Sequence, residues 1–356
     1  MRTTREGRAA EPAASAARTK GSSAPEGPIF IGGLDRSGKT TLRAFLASHP
    51  RIAIPAVGSN METYFYGRFG DLAEGRNLDR CLDAMLRYKH VRFLDPDRAR
   101  IRREFLDGSP SYERLFSLFL IHFAESEGKP RWGAQTGLIE RYADVLFAAH
   151  PDAKVIHMVR DPRDRYEASL ARWPDGRGRA GGATARWLYS TRLAERNLRR
   201  YPGSYLVVRF EDLVCHPERV LRRVCRFVGE TYSPDLLEMP GAPKHRALLL
   251  EGGPANGPTP LSASHIGRAR STIARQEIAF IQLHAASRMR AYGYEVASLR
   301  LSAKEMVRFA TLEWPDQLAR MLAWYGVEAM QQRYPAIVPR RPDPRMTRPA
   351  AEQERV

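Results

Sequence analysis

The sequence predicts an α/β fold in which a parallel β-sheet is flanked by helices. Three short apolar runs, at residues 29–31, 154–159 and 205–209, have the β-branched composition of buried strands. Each run leads into a polar turn and a helical pattern, an alternation typical of parallel sheets. Ligands of such sheets bind beyond the carboxyl ends of the strands, so we expect the residues that follow these runs to form the site.

The first strand leads into a phosphate-binding loop. Gly33, Gly38, Lys39 and Thr40 satisfy the spacing G-x-x-x-x-G-K-[ST], and a helix is predicted over 39–48. In such a loop, backbone N–H groups and the helix N-terminus surround an anion while the lysine adds positive charge. A nucleoside triphosphate and a phosphosulfate make similar demands on this loop, so the motif alone leaves the anion open.

Further helices are predicted from apolar residues at helical spacing, after an irregular stretch that extends to Gly75. The predicted helices cover residues 78–90, 96–105, 111–127, 270–292 and 303–333.

Composition divides the chain into four parts. Residues 1–27 are rich in Ala, Arg, Ser, Gly and Pro without apolar periodicity, and we expect a disordered basic arm there. Residues 28–300 form the predicted α/β domain, with a Gly/Pro-rich loop at 240–265. A helical extension follows at 301–334, and a Pro/Arg-rich tail ends the chain.

Charge and cysteine content limit the partners. The 356-residue chain carries a net charge of +17, and only seven of its 57 basic residues are lysines. Arginine suits bidentate recognition of phosphate or sulfate, although we expect most of these arginines to be solvated surface residues.

Cys81, Cys215 and Cys225 lack metal-ligand spacing, so neither a zinc site nor a disulfide framework is expected. No apolar run is long enough for a transmembrane segment, and we expect a cytoplasmic protein.

A second anion-binding segment follows the strand at 154–159, which runs directly into Arg160-Asp-Pro-Arg-Asp-Arg-Tyr-Glu-Ala-Ser169. Pro162 suits the first turn of a helix, which places Arg160 at the strand tip and Ser169 on the following helix. In isolation this segment could equally be a surface turn with internal ion pairs.

Together, the two segments resemble those of the sulfotransferases that use 3′-phosphoadenosine 5′-phosphosulfate (PAPS), in particular bacterial ones. In that family an R-S-G-T-T loop binds the 5′-phosphosulfate, and a V-R-D-P-R-D…S segment binds the 3′-phosphate. The resemblance covers roughly residues 28–295 and implies a P-loop NTPase-like sulfotransferase fold. The matching residues are Arg36, Ser37, Gly38, Lys39 and Thr40 in the first motif, and Arg160 and Ser169 in the second.

The resemblance to this family extends to four other segments, which are His49-Pro50, Trp132–Thr136, Arg209–Leu213 and Ile266–Arg268. It implies donor contacts from Phe210, which stands where relatives can place a tyrosine near the adenine, and from Gly267 and Arg268. Arg268 could close over the 3′-phosphate or be a surface charge. We add Thr41 to the donor-site candidates, although helix packing is the simpler explanation for it.

The sequence also departs from the family pattern. Lys39 stands where the family more often has threonine, which is why the loop fits a nucleotide-hydrolase motif as well. Ala134 and Gln135 occupy positions where relatives often carry glutamate and lysine. An acid and a base are therefore missing from a segment that usually borders the site.

Sulfuryl transfer requires in-line positioning, charge neutralisation on the leaving group and a base that accepts the proton of the acceptor. We assign Lys39 and Arg36 to the oxygen left on the 5′-phosphate. Glu62 is the candidate base, because it follows the first helix by the interval at which similar enzymes carry a glutamate facing the acceptor. An exposed loop carboxylate explains Glu62 equally well, and Asp35 and Asp107 are weaker candidates. A phosphosulfate donor needs no metal.

The leading hypothesis is a sulfotransferase that transfers a sulfuryl group from PAPS to a hydroxyl or amine of a carbohydrate, lipid or small molecule. The first alternative, suggested by Lys39 and Thr40, is a P-loop kinase or NTPase that uses Mg-ATP. It would need an acidic residue at the end of an apolar strand, whereas the strand at 154–159 ends in Arg160 and only Asp161 is near.

The second alternative is a non-catalytic basic protein that binds nucleic acid or a nucleotide. The sequence contains no RRM, KH, zinc-finger or helix-turn-helix signature, so no specific nucleic acid is expected as a partner. The oligomeric state is not predicted.

Overall fold

The computed structural model describes residues 27–243 and 261–347, and its centre is a sheet of parallel strands. The strands are β1 (Ile29–Gly33), β2 (Ile52–Ala53), β3 (Arg131–Gln135), β4 (Lys154–Val159) and β5 (Tyr205–Arg209). Their order is β2-β3-β1-β4-β5, and every neighbouring pair is parallel. The predicted fold class is confirmed.

Helices surround this sheet. In chain order they are α1 (Lys39–Ala47), α2 (Met61–Phe65), α3 (Gly75–Arg87), α4 (Lys89–Arg92), α5 (Arg98–Leu106), α6 (Tyr112–Ser126), α7 (Ala143–Ala149), α8 (Pro162–Leu170), α9 (Ala180–Arg200), α10 (Phe210–Cys215), α11 (Pro217–Val228), α12 (Ala269–Thr272), α13 (Arg275–Ala291), α14 (Ala303–Arg308) and α15 (Trp314–Arg333).

The central strand β1 is buried on both faces. Phe30 packs into one hydrophobic cluster with residues of α3, α5 and α6, whereas Ile29 and Ile31 pack into a second cluster with residues of α1 and α11. Alternate side chains of a strand point to opposite faces, so these clusters lie on the two sides of the sheet. Helices on both sides explain why the strand is apolar throughout.

Local sequence determines where several helices begin. The carboxylate of Asp161 accepts a hydrogen bond from the Arg163 N–H at 2.9 Å, and Pro162 occupies the first position of α8. Ser111 caps α6 in the same way, accepting from the Arg114 N–H at 3.1 Å. Such caps satisfy N–H groups that have no partner within the helix.

Strands β4 and β5 have the predicted bounds, but β2, β3 and α2 were not predicted. Strand β3 contains the segment Trp132–Gln135, where no residue is β-branched and Gly133 weakens the strand pattern. Its pairing with β1 therefore comes from tertiary packing rather than from local preference. Strand β2 and helix α2 lie in the stretch predicted to be irregular, and both are too short to give a periodic signal.

The predicted helix over 303–333 contains an irregularity. A π-helical turn at Phe309–Glu313 separates α14 from α15, and Pro315 follows directly in the first turn of α15. Proline lacks an N–H and its ring clashes with the preceding turn, which accounts for the break. The predicted helix over 78–90 is likewise divided at Tyr88.

Several predicted segments lie wholly or largely outside the described residues. These are the N-terminal arm up to residue 26, residues 244–260 of the Gly/Pro-rich loop, and residues 348–356 of the tail. The division into domains stays a prediction. Within the described ranges, no helix combines the length and the apolar character needed to cross a bilayer.

Helix α15 packs closely against α9 at one glycine. The Gly181 N–H donates to Gln317 Oε1 at 2.7 Å, and a Cβ atom at position 181 would lie 1.9 Å from the Gln317 carbonyl oxygen. Gln317 Nε2 donates in turn to the Gly178 carbonyl at 2.7 Å. The absence of a side chain at Gly181 thus allows the C-terminal helices to contact the α/β domain.

Replacing Gly181 by alanine should lower the free energy of unfolding by about 1–3 kcal/mol, because the added methyl group meets backbone atoms of α15. Gly182→Ala is the matched control on the same helix, since nothing lies within 4 Å of a Cβ there. Alanine is favoured over glycine in helices by about 0.5–1 kcal/mol, so this control should be neutral or stabilising. Denaturant unfolding measures both variants, and equal stabilities would contradict the close contact.

Candidate functional site

The loop between β1 and α1 is a tight turn with an open helix N-terminus. Ser37 donates its hydroxyl to the Leu34 carbonyl at 2.6 Å, and both Arg36 and Gly38 adopt left-handed backbone conformations, with φ of 67° and 89°. Helix α1 begins at Lys39, and no side chain among the described residues caps it. Its first N–H groups are therefore directed toward the end of the sheet, where they suit an anion.

Three strand ends meet in one contact at this loop. A Cβ atom at Gly38 would lie 2.4 Å from Cδ2 of Phe210, the residue that follows β5. The guanidinium of Arg160, the residue that follows β4, lies over the ring of Phe210 at 4.4 Å from the ring centroid. The predicted phosphate-binding loop, the Arg160 segment and Phe210 are thus brought together.

Arg160 is held by backbone carbonyl groups yet keeps a free donor. It is 6% exposed, and its two terminal nitrogens donate to the Arg36 carbonyl at 3.2 Å and to the His265 carbonyl at 2.8 Å. Its Nε is buried and has no hydrogen-bond partner among the described residues. Burial lowers the pKa of this guanidinium. An orphaned donor on a buried cation fits an anionic group of a ligand.

Arg36 and Ser169 lie beside each other across the loop and α8. Arg36 Nε donates to the Ala168 carbonyl at 3.1 Å, one residue before Ser169, whose hydroxyl donates to the Tyr166 carbonyl at 2.6 Å. Thr40 is exposed and Thr41 is buried.

A carboxylate of α8 fixes the segment that carries Gly267 and Arg268. Asp164 accepts hydrogen bonds from the Gly267 N–H at 2.6 Å and from the Ala269 N–H at 3.0 Å. Gly267 is left-handed, with φ of 79°. Arg268 is 46% exposed and lies 3.5 Å from Glu167, so it borders the Arg160 side of the site from the surface.

Lys39 is folded back over its own loop. The side chain is 5% exposed, and Nζ donates to the Gly33 carbonyl at 2.8 Å and to Asp35 Oδ1 at 3.3 Å. The Asp35 carboxylate is 70% exposed, and the positive charge of Lys39 is the main cause of its lowered pKa. Gly137, just after β3, approaches the same lysine, since a Cβ there would lie 3.5 Å from Nζ.

Glu62 is a buried carboxyl group rather than an exposed loop carboxylate. It lies on α2, is 1% exposed and accepts a hydrogen bond from the Thr136 hydroxyl at 3.1 Å. Asn60 accepts from the Gly137 N–H at 2.9 Å, which connects α2 to the Lys39 side of the loop. Burial raises the pKa of Glu62 to about 7.

A second buried acid accompanies Glu62. Glu113 of α6 is 3% exposed, and burial together with the charge of Glu62 raises its pKa to about 8. One of its carboxylate oxygens has no hydrogen-bond partner in the part of the chain that the structure describes. Asp107, a weaker candidate for the base, is exposed at the end of α5.

Sequence analysis did not assign several residues to this site that the structure places in it. Arg165 on α8 is 4% exposed, donates to the Asp35 carbonyl at 3.2 Å and has a buried Nε without a partner among the described residues. Trp187 donates its indole N–H to the Arg160 carbonyl at 2.9 Å, and Glu140 accepts from the Gly33 N–H at 3.3 Å. Arg165 lies within the quoted Arg160 segment, but the other two act across long sequence separations that carry no local signal.

No cluster of three or more His, Cys, Asp or Glu residues suited to a metal ion occurs within the described ranges.

Comparison with known proteins identifies relatives of this fold. The sulfotransferase domain from the Synechococcus PCC 7002 olefin synthase is similar in structure, with a TM-score of 0.51 and 20% identity over 77% of this chain and 96% of that domain. Sulfotransferase STF9 from Mycobacterium avium gives a TM-score of 0.45 at 15% identity, over 78% of this chain and 79% of that one. Retinol dehydratase in a complex with retinol and PAP gives a TM-score of 0.38 at 14% identity, over 78% of this chain and 84% of that one.

No curated protein matches the chain. The sequence model of the sulfotransferase family, however, matches residues 28–234, which is more than half of the chain. These residues include the loop, the Arg160 segment and Phe210. The protein therefore belongs to the sulfotransferase family and is an enzyme that transfers a sulfuryl group.

Proposed function

We propose that the sulfuryl donor is PAPS and that it binds across the carboxyl ends of β1, β4 and β5. The contact among Gly38, Phe210 and Arg160 carries this proposal, because it places a buried arginine with an orphaned Nε beside an uncapped helix N-terminus. A donor with phosphate groups at two positions of its ribose requires two such anion sites. PAPS has this chemistry.

The residues of the loop would bind the 5′ end of the donor. Lys39 and Arg36 supply positive charge for the oxygen left on the 5′-phosphate, and the first N–H groups of α1 and the Thr40 hydroxyl supply hydrogen bonds. Ser37 already donates its hydroxyl to the Leu34 carbonyl, so its contribution is mainly to the shape of the loop. When bound, PAPS supplies an activated sulfuryl group on a phosphate leaving group.

The 3′-phosphate would bind to Arg160, Ser169 and Arg268. Arg160 is fixed by two carbonyl groups and needs little ordering on binding, which favours affinity. Arg268 stands on a segment anchored by Asp164 and has an exposed side chain that can move toward the ligand. Phe210 and the backbone of Gly267 complete the proposed 3′-phosphate site.

A kinase using Mg-ATP is less compatible with these contacts. Asp161, the acid that follows Arg160 at the end of β4, caps α8 and forms an ion pair with Arg163 at 2.6 Å. Its carboxylate is thus committed to the protein, whereas a P-loop kinase holds Mg²⁺ with such a residue.

Two carboxyl groups compete for the role of base. Glu62 has a pKa near 7, which suits a group that must both accept and release a proton, but it is buried beneath Thr136. Asp35 is accessible and next to Lys39, but its lowered pKa makes it a weak base. We propose Glu62, acting when α2 moves to admit the acceptor.

Arg160→Ala should weaken the binding of adenosine 3′,5′-bisphosphate by about 2 kcal/mol or more, the scale of a lost charge-assisted contact. Calorimetric titration of the purified protein measures this directly, with Mg-ATP as the competing ligand. Arg199→Ala, an exposed arginine on α9, is the matched control and should bind like the wild type. Preference for Mg-ATP, or indifference to Arg160, would overturn the proposed donor.

Glu62→Gln should lower kcat about 100-fold or more while leaving bisphosphate affinity unchanged, because only the general base is lost. In the wild type, the rate should rise with pH to a plateau, with the midpoint of the rise near 7, as Glu62 loses its proton. Glu113 loses its proton only near 8, partly because of the charge of Glu62, so Glu113→Gln should leave this rise close to 7. Asp35→Asn serves as the comparison variant, because Asp35 is the other carboxyl group considered for the base. A pH profile that keeps its rise near 7 in Glu62→Gln would assign the base elsewhere.

A further inference from the structure

A cavity lies beside α1 and the edge strand β2, and its described lining includes none of the residues assigned to the donor. Its volume is about 390 Å³, and it is bounded by the second half of α1, the residues that follow β2, the turn after α4 and the end of α6. A cavity of about 150 Å³ already holds benzene. This one therefore has room for an aromatic ring with a short side chain.

The cavity offers apolar surface to a ligand. Ile54, Phe93, Leu94 and Phe123 contribute to its wall. Phe93 is 50% exposed, so part of this apolar surface is in contact with water when the cavity holds no ligand. Covering it with an apolar group would be favourable.

Arg43 of α1 lines this cavity and is a buried cation without a partner. It is 3% exposed, its Nε is buried, and its guanidinium forms no hydrogen bond or ion pair with any of the described residues. The other buried arginines of the described ranges each donate at least one hydrogen bond, and they are Arg131, Arg160, Arg163 and Arg165. A guanidinium that is both buried and unpaired is costly unless an anion approaches it.

The other charges of the cavity leave Arg43 unpaired. In the part of the chain that the structure describes, the charged side chains of the lining are Arg43, Lys129, Asp95 and Glu127. Lys129 Nζ already donates to two backbone carbonyl groups, at 2.7 and 3.0 Å. Asp95 and Glu127 are exposed, and burial alone lowers the pKa of Arg43, so neither acid compensates its charge. One uncompensated cation with two acids nearby favours a ligand of single negative charge.

We propose that this cavity binds an organic acid whose carboxylate pairs with Arg43 and whose apolar part packs against Phe93 and Phe123. A carboxylate presents two acceptor oxygens to the planar fork of a guanidinium. Its single charge matches the one unpaired cation, whereas a phosphate dianion would be repelled more strongly by Asp95 and Glu127. The site is separate from the proposed donor site and does not depend on the identity of the donor.

Two probes of nearly equal size, 3-phenylpropanoate and 3-phenylpropanamide, test the proposal by calorimetric titration of the purified protein. The carboxylate should bind about ten-fold more tightly than the amide, the scale of a charge-assisted contact. Arg43→Gln should reduce this preference to about two-fold or less, because the charge is lost. Arg199→Gln, at an exposed arginine of α9, is the matched control and should keep the preference.

Two exposed positions of the lining provide a second test that leaves Arg43 in place. Glu127→Gln removes a like charge at the end of α6 and should tighten carboxylate binding about two-fold while the amide is unaffected. Phe93→Ala removes apolar contact only and should weaken both probes alike. These variants keep the proposal testable if Arg43→Gln does not fold.

Equal affinity for both probes in the wild type, or a preference that survives Arg43→Gln, would overturn the site. If Arg43→Gln does not fold, unchanged carboxylate affinity in both Glu127→Gln and Phe93→Ala would do the same. Displacement of the carboxylate by saturating adenosine 3′,5′-bisphosphate would place it in the donor site instead. Failure of the bisphosphate to bind would reject the proposed donor and leave the comparison of the two probes intact.

Discussion

The contact between Gly38 and Phe210 is the constraint on which the site depends. Any side chain at position 38 would collide with the ring, so the loop can bend into its left-handed turn only at a glycine. The same ring supports the guanidinium of Arg160, which in turn binds the Arg36 carbonyl. This close contact thus aligns the carboxyl ends of β1, β4 and β5, and it fixes the distance between the two anion-binding motifs.

Electrostatics divide this site into two kinds of environment. On the Arg160 side, cations are fixed by backbone carbonyl groups and by Trp187, which suits a ligand of constant charge. On the α2 side, Glu62 and Glu113 share an apolar interior where both cannot easily ionise. Fixed charge thus lies at the proposed donor site, and a titratable pair that includes the proposed base lies behind Thr136.

The sequence predicted a parallel sheet with β1, β4 and β5, its connection to the loop and the clustering of the strand-end residues, because these depend on local patterns of apolar residues, glycines and arginines. It did not predict β3, since Gly133 and its neighbours have no strand preference of their own. The burial of Glu62, the support of Gly267 by Asp164 and the position of Arg165 also escaped prediction. Each depends on residues far apart in the chain, which only tertiary packing brings together.

The contact at Gly181 joins the part of the chain that matches the sulfotransferase family to the C-terminal helices beyond it. The strand ends and α8 lie within residues 28–234, whereas α15 lies outside that range and packs on α9. Because α9 also carries Trp187, which donates to the Arg160 carbonyl, a change in the packing of α15 would reach the proposed donor site through α9. Variants of the C-terminal helices would thus alter affinity for the donor without altering any residue assigned to it.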